Sequence, residues 1–297
     1  MATVAVLGAG GVGGMLAVRL AVSELHRVVC VARPGTARAI GAGGITLEAP
    51  DGTFRARPIA TESLEERVDL LVIAVKAYDL DAALRRVAPE AVAEGVSLAL
   101  LNGLEHMETI RARLGDAVAA GAVGRLEAYR RAPTIVVQSL PPVPLVTVST
   151  AGLAPPASAS VVSVLESAGI EVRTLPTDAE VLWEKAARLA PLAAVTAATG
   201  RPLGELLAAP DDRALLEAAV EDACAVAAAA GVAVTFSAQW AMIEGMPPGL
   251  TTSAARDRAA GRPSEIDAVV GAVVRSGRRL GVPTPTLDRL LVALEAA

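Results

Sequence analysis

Val4-Ala5-Val6-Leu7-Gly8-Ala9-Gly10-Gly11-Val12-Gly13-Gly14 decides the fold of this chain. Val4–Leu7 reads as a short buried strand, and the run from Met15 to Val22 has helical periodicity. Between them Gly8, Gly10 and Gly13 stand at the spacing G-x-G-x-x-G. In such a strand–turn–helix the first glycine permits a tight turn, the second lets the backbone approach a pyrophosphate, and the third lets helix pack on strand. Phosphates then meet free N–H groups at a helix N-terminus. Gly8, Ala9, Gly10, Gly11, Val12 and Gly13 are therefore candidate dinucleotide-binding residues. The alternative is a glycine-rich turn in a nucleotide-free α/β domain.

Outward from this turn, strands and helices alternate. Val28–Val31 reads as a second strand, Gly44–Leu47 and Thr53–Ala60 as a hairpin around Asp51-Gly52, and Asp69–Val75 and Ser97–Leu101 as doubly buried strands. Further strands are expected at 117–123, 134–138 and 145–149, and a helix at 157–168 precedes a last strand at 171–175. This alternation predicts a doubly wound parallel sheet of the Rossmann type. From Asp178 onward only helical patterns remain, at 178–198, 203–208, 211–230, 234–245, 251–260 and 263–280, with a terminal helix after Pro285. Thr177 and Asp178 are plausible N-cap residues for the first of these. The expected organisation is a nucleotide-binding domain over 1–176 and an all-helical substrate and catalytic domain over 177–297, with the active site in the cleft between them.

The chain of 297 residues is 53% hydrophobic but only 2% aromatic, so its cores must be built from Ala, Val and Leu. A net charge of −5 without blocks of like charge gives no basic surface for nucleic acid and no membrane patch. The apolar start, broken by glycines, reads as a strand and not a signal peptide. The apolar run 189–199 contains Pro191 and is too short to span a bilayer. Cys30 and Cys224 read as buried free thiols of a reducing cytoplasm. His26 reads as a surface residue and His106 as an exposed residue at a helix start, with a place in the cleft as the alternative. No metal-site spacing is present.

The acidic residue that grips the ribose in NAD enzymes is expected about 20 residues beyond the last motif glycine. That region reads Cys30-Val31-Ala32-Arg33-Pro34, with no carboxylate. Arg33 at the end of the second strand can pair bidentately with a 2′-phosphate, which favours NADP(H) over NAD; a solvated loop arginine is the alternative.

Five further stretches carry a resemblance. They are Val75-Lys76-Ala77-Tyr78, Leu101-Asn102-Gly103-Leu104, Trp183-Glu184-Lys185, Thr199-Gly200-Arg201-Pro202-Leu203-Gly204-Glu205-Leu206, and the run holding Thr252-Ser253, Asp257, Gly261-Arg262-Pro263 and Ser264-Glu265-Ile266-Asp267. In this order and spacing the chain resembles the ketopantoate reductase family over nearly its whole length, as a divergent member. The resemblance implies a cytoplasmic NADP-dependent reduction of a 2-oxo acid in pantothenate biosynthesis, by a monomer or homodimer. It implies Lys185 as general acid, with Glu265 orienting it. It implies Ser253 and Asn102 on the substrate, and Arg33, Lys76, Asn102 and Glu265 at the cofactor. An ammonium suits this chemistry, because it both protonates and stabilises a developing alkoxide. Residue by residue the bland readings are an exposed helix lysine, a first-turn glutamate, an N-capping serine and loop residues at strand ends.

The chain departs from the family pattern where substrate-binding asparagines are expected. Leu189, Ala193, Leu203 and Leu250 occupy those positions, and 121–133 lacks the Thr-His-Gly run. The four aliphatic residues are expected to border a less polar pocket, with Arg188, Arg125 and Tyr129 as possible stand-ins. The leading reading is an NADPH-dependent reductase of ketopantoate (2-dehydropantoate) or a less polar analogue. The alternatives are a non-catalytic NADP-binding regulator on the same fold and an opine- or imine-type enzyme.

Overall fold

The computed structural model describes residues 1–296, without the side chains of Arg125, Leu140, Pro141 and Pro142. The chain forms two compact units, Met1–Leu101 with His106–Val181, and Asn102–Glu105 with the chain from Leu182 on. The class is α/β, a Rossmann-type sheet followed by an all-helical unit.

The first unit opens with β1 (Thr3–Leu7), α1 (Gly11–Val22), β2 (Arg27–Val31) and α2 (Pro34–Gly43). Then come β3 (Ile45–Ala49), β4 (Gly52–Ala56), β5 (Ile59–Thr61), β6 (Leu70–Ile73), α3 (Leu80–Leu84), β7 (Val96–Ala99) and α4 (His106–Leu114). It continues through β8 (Val118–Ala132), β9 (Ile135–Ser149), α5 (Pro155–Ser167) and β10 (Glu171–Leu175). The strands run β4-β3-β9-β8-β7-β6-β1-β2-β5, with β10 also paired to β9. The centre is parallel, Val4 registering with Val28 on one side and Leu70 on the other. These strands are buried on both faces, as continuous aliphatic runs must be. Small residues along α1, among them Gly13, Gly14 and Ala17, let it lie close against the sheet.

Three departures from the expected sheet are instructive. It is mixed, because β3–β4 and β8–β9 are antiparallel. The strand expected at 117–123 runs on to Ala132 in a bulged pair with β9. The hairpin arm expected at 53–60 ends at Ala56, and residues 59–61 pair in parallel with β2 instead. Pro58 has no N–H to give to a ladder, so the chain changes partners there.

The second unit comprises α6 (Asp178–Thr199), whose first turn belongs to the first unit, and then α7 (Leu203–Ala208), α8 (Pro210–Ala229) and α9 (Phe236–Glu244). It continues through α10 (Ser253–Ala259), a π-helical turn over Asp267–Gly271, α11 (Ala272–Leu280) and α12 (Pro285–Glu295). Thr177 begins α6 with a capping box: its Oγ1 accepts from the Glu180 N–H at 3.1 Å, and the Glu180 carboxylate accepts from the Thr177 N–H at 2.9 Å. The core is aliphatic and Ala-rich, α8 alone burying Leu216, Ala219, Val220, Ala223, Val226 and Ala227. No helix among the described residues is long and apolar enough to cross a membrane. Cys30 and Cys224 are buried and unpaired by disulfide, and burial pushes both thiols up to about 11.

Candidate active site

In the first unit the glycine turn is built by backbone crowding. Gly8 has φ +103°, and a Cβ there would sit 2.7 Å from the Ala74 carbonyl oxygen. A Cβ on Gly13 would meet the Gly8 carbonyl oxygen at 1.9 Å, so this glycine is demanded by the helix–strand contact itself. Gly11 is demanded as well, its Cβ falling 2.1 Å from the Ala128 oxygen of β8. The extension of β8 creates that constraint, and the motif alone did not reveal it. Gly10 differs. Its φ is −78°, and a Cβ would meet nothing closer than the Ala74 oxygen at 4.0 Å. Among the described residues no neighbour asks for a glycine there; the space suits a ligand lying against the backbone. The N-terminus of α1 has no side-chain cap and no acidic residue in its first turn. These features fit a dinucleotide pyrophosphate.

Arg33 is exposed at the N-cap of α2, with a guanidinium nitrogen 4.0 Å from Asp79. Arg130 of β8 donates to Thr36 Oγ1 in the first turn of the same helix at 3.2 Å. Lys76 lies half-buried just after β6, beside the Ala74–Val75 segment that crowds Gly8.

The second unit brings together Asn102, Lys185 and Glu265. Lys185 Nζ donates to Asn102 Oδ1 at 2.7 Å, and Asn102 Nδ2 donates to Glu265 Oε2 at 3.3 Å. The ammonium offers only donors and the carboxylate only acceptors, so the amide can be oriented in just this way. Lys185 is half-buried and Glu265 buried. Burial draws the Lys185 ammonium down to about 8, opposed by the Glu265 charge and assisted by the Arg188 charge. Glu265 stands just ahead of the π turn, a distortion that often marks functional sites. Ser253 is the first residue of α10 but not its cap. Thr252 is, accepting from the Ala255 N–H at 3.2 Å and pairing with Thr196 at 3.1 Å. Among the described residues the Ser253 hydroxyl makes no hydrogen bond and is free for a ligand.

The four aliphatic positions separate. Leu189 and Leu250 are half-buried, and Ala193 (1% exposed) and Leu203 (0%) belong to the helical core. Leu203 N–H bonds the Leu250 carbonyl at 2.9 Å, so these two stand side by side. Arg188 reaches Gln239 Oε1 at 2.7 Å, Tyr129 is exposed on β8, and the Arg125 side chain lies outside the described residues. His106, expected to be exposed, is buried at the start of α4. Among the described residues no cluster could hold a metal ion.

One compositional feature falls on the candidate residues. Of 27 basic residues only two are lysines, Lys76 and Lys185. A lysine is distinct in offering a compact ammonium that can release its proton near neutrality.

The family model described as "Ketopantoate reductase PanE/ApbA" matches residues 4–143, and that for its C-terminal part matches 179–297. The chain belongs to the ketopantoate reductase family. A 2-dehydropantoate 2-reductase of Caulobacter vibrioides is 31% identical, covering 100% of this chain and 99% of the relative. A crystal structure of a PanE/ApbA family ketopantoate reductase from Ralstonia eutropha JMP134 superposes with a TM-score of 0.87 at 29% identity, covering 99% of this chain and 97% of that one. The fold is also that of D-mandelate dehydrogenase in a ternary structure with NADH and anilino(oxo)acetate, TM-score 0.89 at 22% identity, with coverage of 99% and 97%. As a ketopantoate reductase family member the chain is an oxidoreductase acting on a CH–OH group, of the class that reduces 2-oxo acids with NAD(P)H.

Proposed function

We propose that the chain reduces a 2-oxo acid with NADPH, either 2-dehydropantoate in pantothenate biosynthesis or a less hydroxylated analogue. The observation that carries this reading is the hydrogen-bonded chain Lys185–Asn102–Glu265. Lys185 is the general acid: its ammonium hydrogen-bonds the substrate carbonyl and gives up a proton as the oxygen becomes an alkoxide. Asn102 holds the ammonium in place, and Glu265 opposes the pull of burial on its charge. Ser253 offers its uncommitted hydroxyl to the substrate carboxylate. Gly8–Gly13 and Lys76 would hold the dinucleotide and Arg33 its 2′-phosphate, and the nicotinamide would supply the hydride when bound. A purely regulatory nucleotide-binding protein has no need of the Lys185 chain.

Leu189 and Leu250 support a substrate less hydroxylated than ketopantoate, because an apolar wall cannot satisfy a hydroxyl. The test is kcat/KM for 2-dehydropantoate against simpler branched 2-oxo acids, with the simpler acids expected to win. Lys185→Ala should cut turnover about 100-fold or more, on the usual scale for a lost general acid. Dissociation constants should favour NADPH over NADH by about tenfold or more, the worth of one charge-assisted pair, and Arg33→Ala should close that gap by weakening NADPH. Equal affinities in the parent chain would remove Arg33 from the phosphate site.

A further inference from the structure

Asn102 bridges Lys185 and Glu265, yet it sits on a four-residue excursion, Asn102–Glu105, from the first unit into the second. A neutral amide can bridge a cation and an anion only while its orientation is held. Three contacts hold this segment. Gly103 has φ +98°, and its Cβ would fall 2.3 Å from the Ala268 carbonyl oxygen, so the backbone rests directly on the π turn. Leu104 packs against the helical core. Glu105 carries the polar anchor. Its Oε2 accepts from Arg275 Nη2 at 2.7 Å and Nε at 3.1 Å, and its Oε1 accepts from Arg279 Nη1 at 3.1 Å.

Arg275 is braced in turn. Its Nη1 donates to Asp267 Oδ1 at 2.6 Å. A Cβ on Gly271 would lie 2.6 Å from that same Asp267 oxygen and 2.9 Å from Arg275 Nη1, so glycine leaves room for the ion pair. The Arg275 and Arg279 guanidinia hold the Glu105 carboxyl below the usual carboxylate range, Arg275 first, and it stays charged across the working range.

We propose that Glu105, gripped by Arg275 and Arg279 of α11, is a positioning residue that fixes the Asn102 amide between the Lys185 ammonium and the Glu265 carboxylate. The inference rests on Lys185 as the acid. The charges that displace Lys185 are Glu265, from the segment ahead of the π turn, and Arg188, from α6; Glu105 is not among them. A change at Glu105 therefore reaches the ammonium through the position of Asn102. Freed from Asn102 Oδ1, the ammonium loses an acceptor and releases its proton more readily.

With two lysines in the chain, ¹³C-lysine NMR of the full-length protein follows Lys185 directly and needs no substrate. Lys76→Arg assigns the two signals. In Glu105→Gln, and independently in Arg275→Met, the Lys185 titration midpoint should fall by about half a pH unit or more. Thermal unfolding provides the check on folding. Turnover of the best 2-oxo acid should fall, with its basic limb moving to lower pH by the same amount. A Lys185 midpoint that stays or rises in both folded variants overturns the proposal, whatever happens to the rate. Full turnover in Lys185→Ala would instead overturn the assignment of the acid while leaving the NMR result to judge Glu105 by itself.

Discussion

Lys185 is placed where its charge is costly, and under the proposed function that placement is what suits it to act as an acid. Burial brings its ammonium to about 8, far below the ordinary lysine value, with Glu265 holding it up and Arg188 pressing it down. Reduction needs the protonated form. That population declines as pH rises through about 8, so the reductive rate should fall about tenfold per unit above it. Oxidation of the 2-hydroxy acid needs the neutral amine and should rise over the same range. Opposed limbs in the two directions, measured on one preparation, check the assignment; parallel limbs refute it. Lys185→Arg keeps a charge but cannot release a proton near neutrality, and should lose about 100-fold in turnover. The glycines give a second pair of outcomes. Gly13→Ala drives a Cβ into the Gly8 carbonyl and should lower the unfolding temperature outright. Gly10→Ala finds open space, so stability should barely move while NADPH affinity drops. If both variants lose stability alike, Gly10 is structural after all.

At the scale of elements, what the sequence revealed followed burial. Strands such as β1 and β6, aliphatic on both faces, announce themselves, as does the turn that joins β1 to α1. The outer half of β8 did not. Arg125, Glu127, Arg130 and Arg131 give it no apolar alternation, and it is a strand because β9 pairs with it and because Arg130 and Arg131 reach Thr36 and Glu48. The π turn was equally hidden, since 263–280 reads as one helical segment with nothing to mark a change of winding. Lys185, Glu265 and Asn102 were legible as residues, but not the amide bridge that joins them. Sequence position also could not tell Leu189, at the surface of the core, from Ala193 four residues deeper. The capping of α10 is a further case, for Thr252 does what Ser253 was a candidate to do. Thr252→Ala removes the cap and the contact with Thr196, which keeps its bond to the Leu192 carbonyl, at a cost of about 1–2 kcal/mol, whereas Thr252→Ser should keep most of it. Chemical denaturation of the two variants separates them. Equal stability would mean that the cap contributes nothing.

The two units are not two consecutive stretches of sequence. The helical unit takes Asn102–Glu105 from the middle of the other unit's sequence. Residues 182–297 expressed alone therefore lack Leu104 from their core and the carboxylate shared by Arg275 and Arg279. Hydrogen exchange should show α11 and the π turn less protected in that fragment than in the full chain, and equal protection would make the segment dispensable. The same four residues impose an order on biosynthesis. Glu105 leaves the ribosome 77 residues ahead of Leu182, counting from 105 to 182. At roughly 5–20 residues per second that is about four to fifteen seconds. Through that interval the segment has no unit to join, and an acidic side chain beside an apolar one must wait in water while the sheet around it forms. A charged, short excursion suits that wait better than an apolar one would, because it gives nascent neighbours and chaperones little to hold.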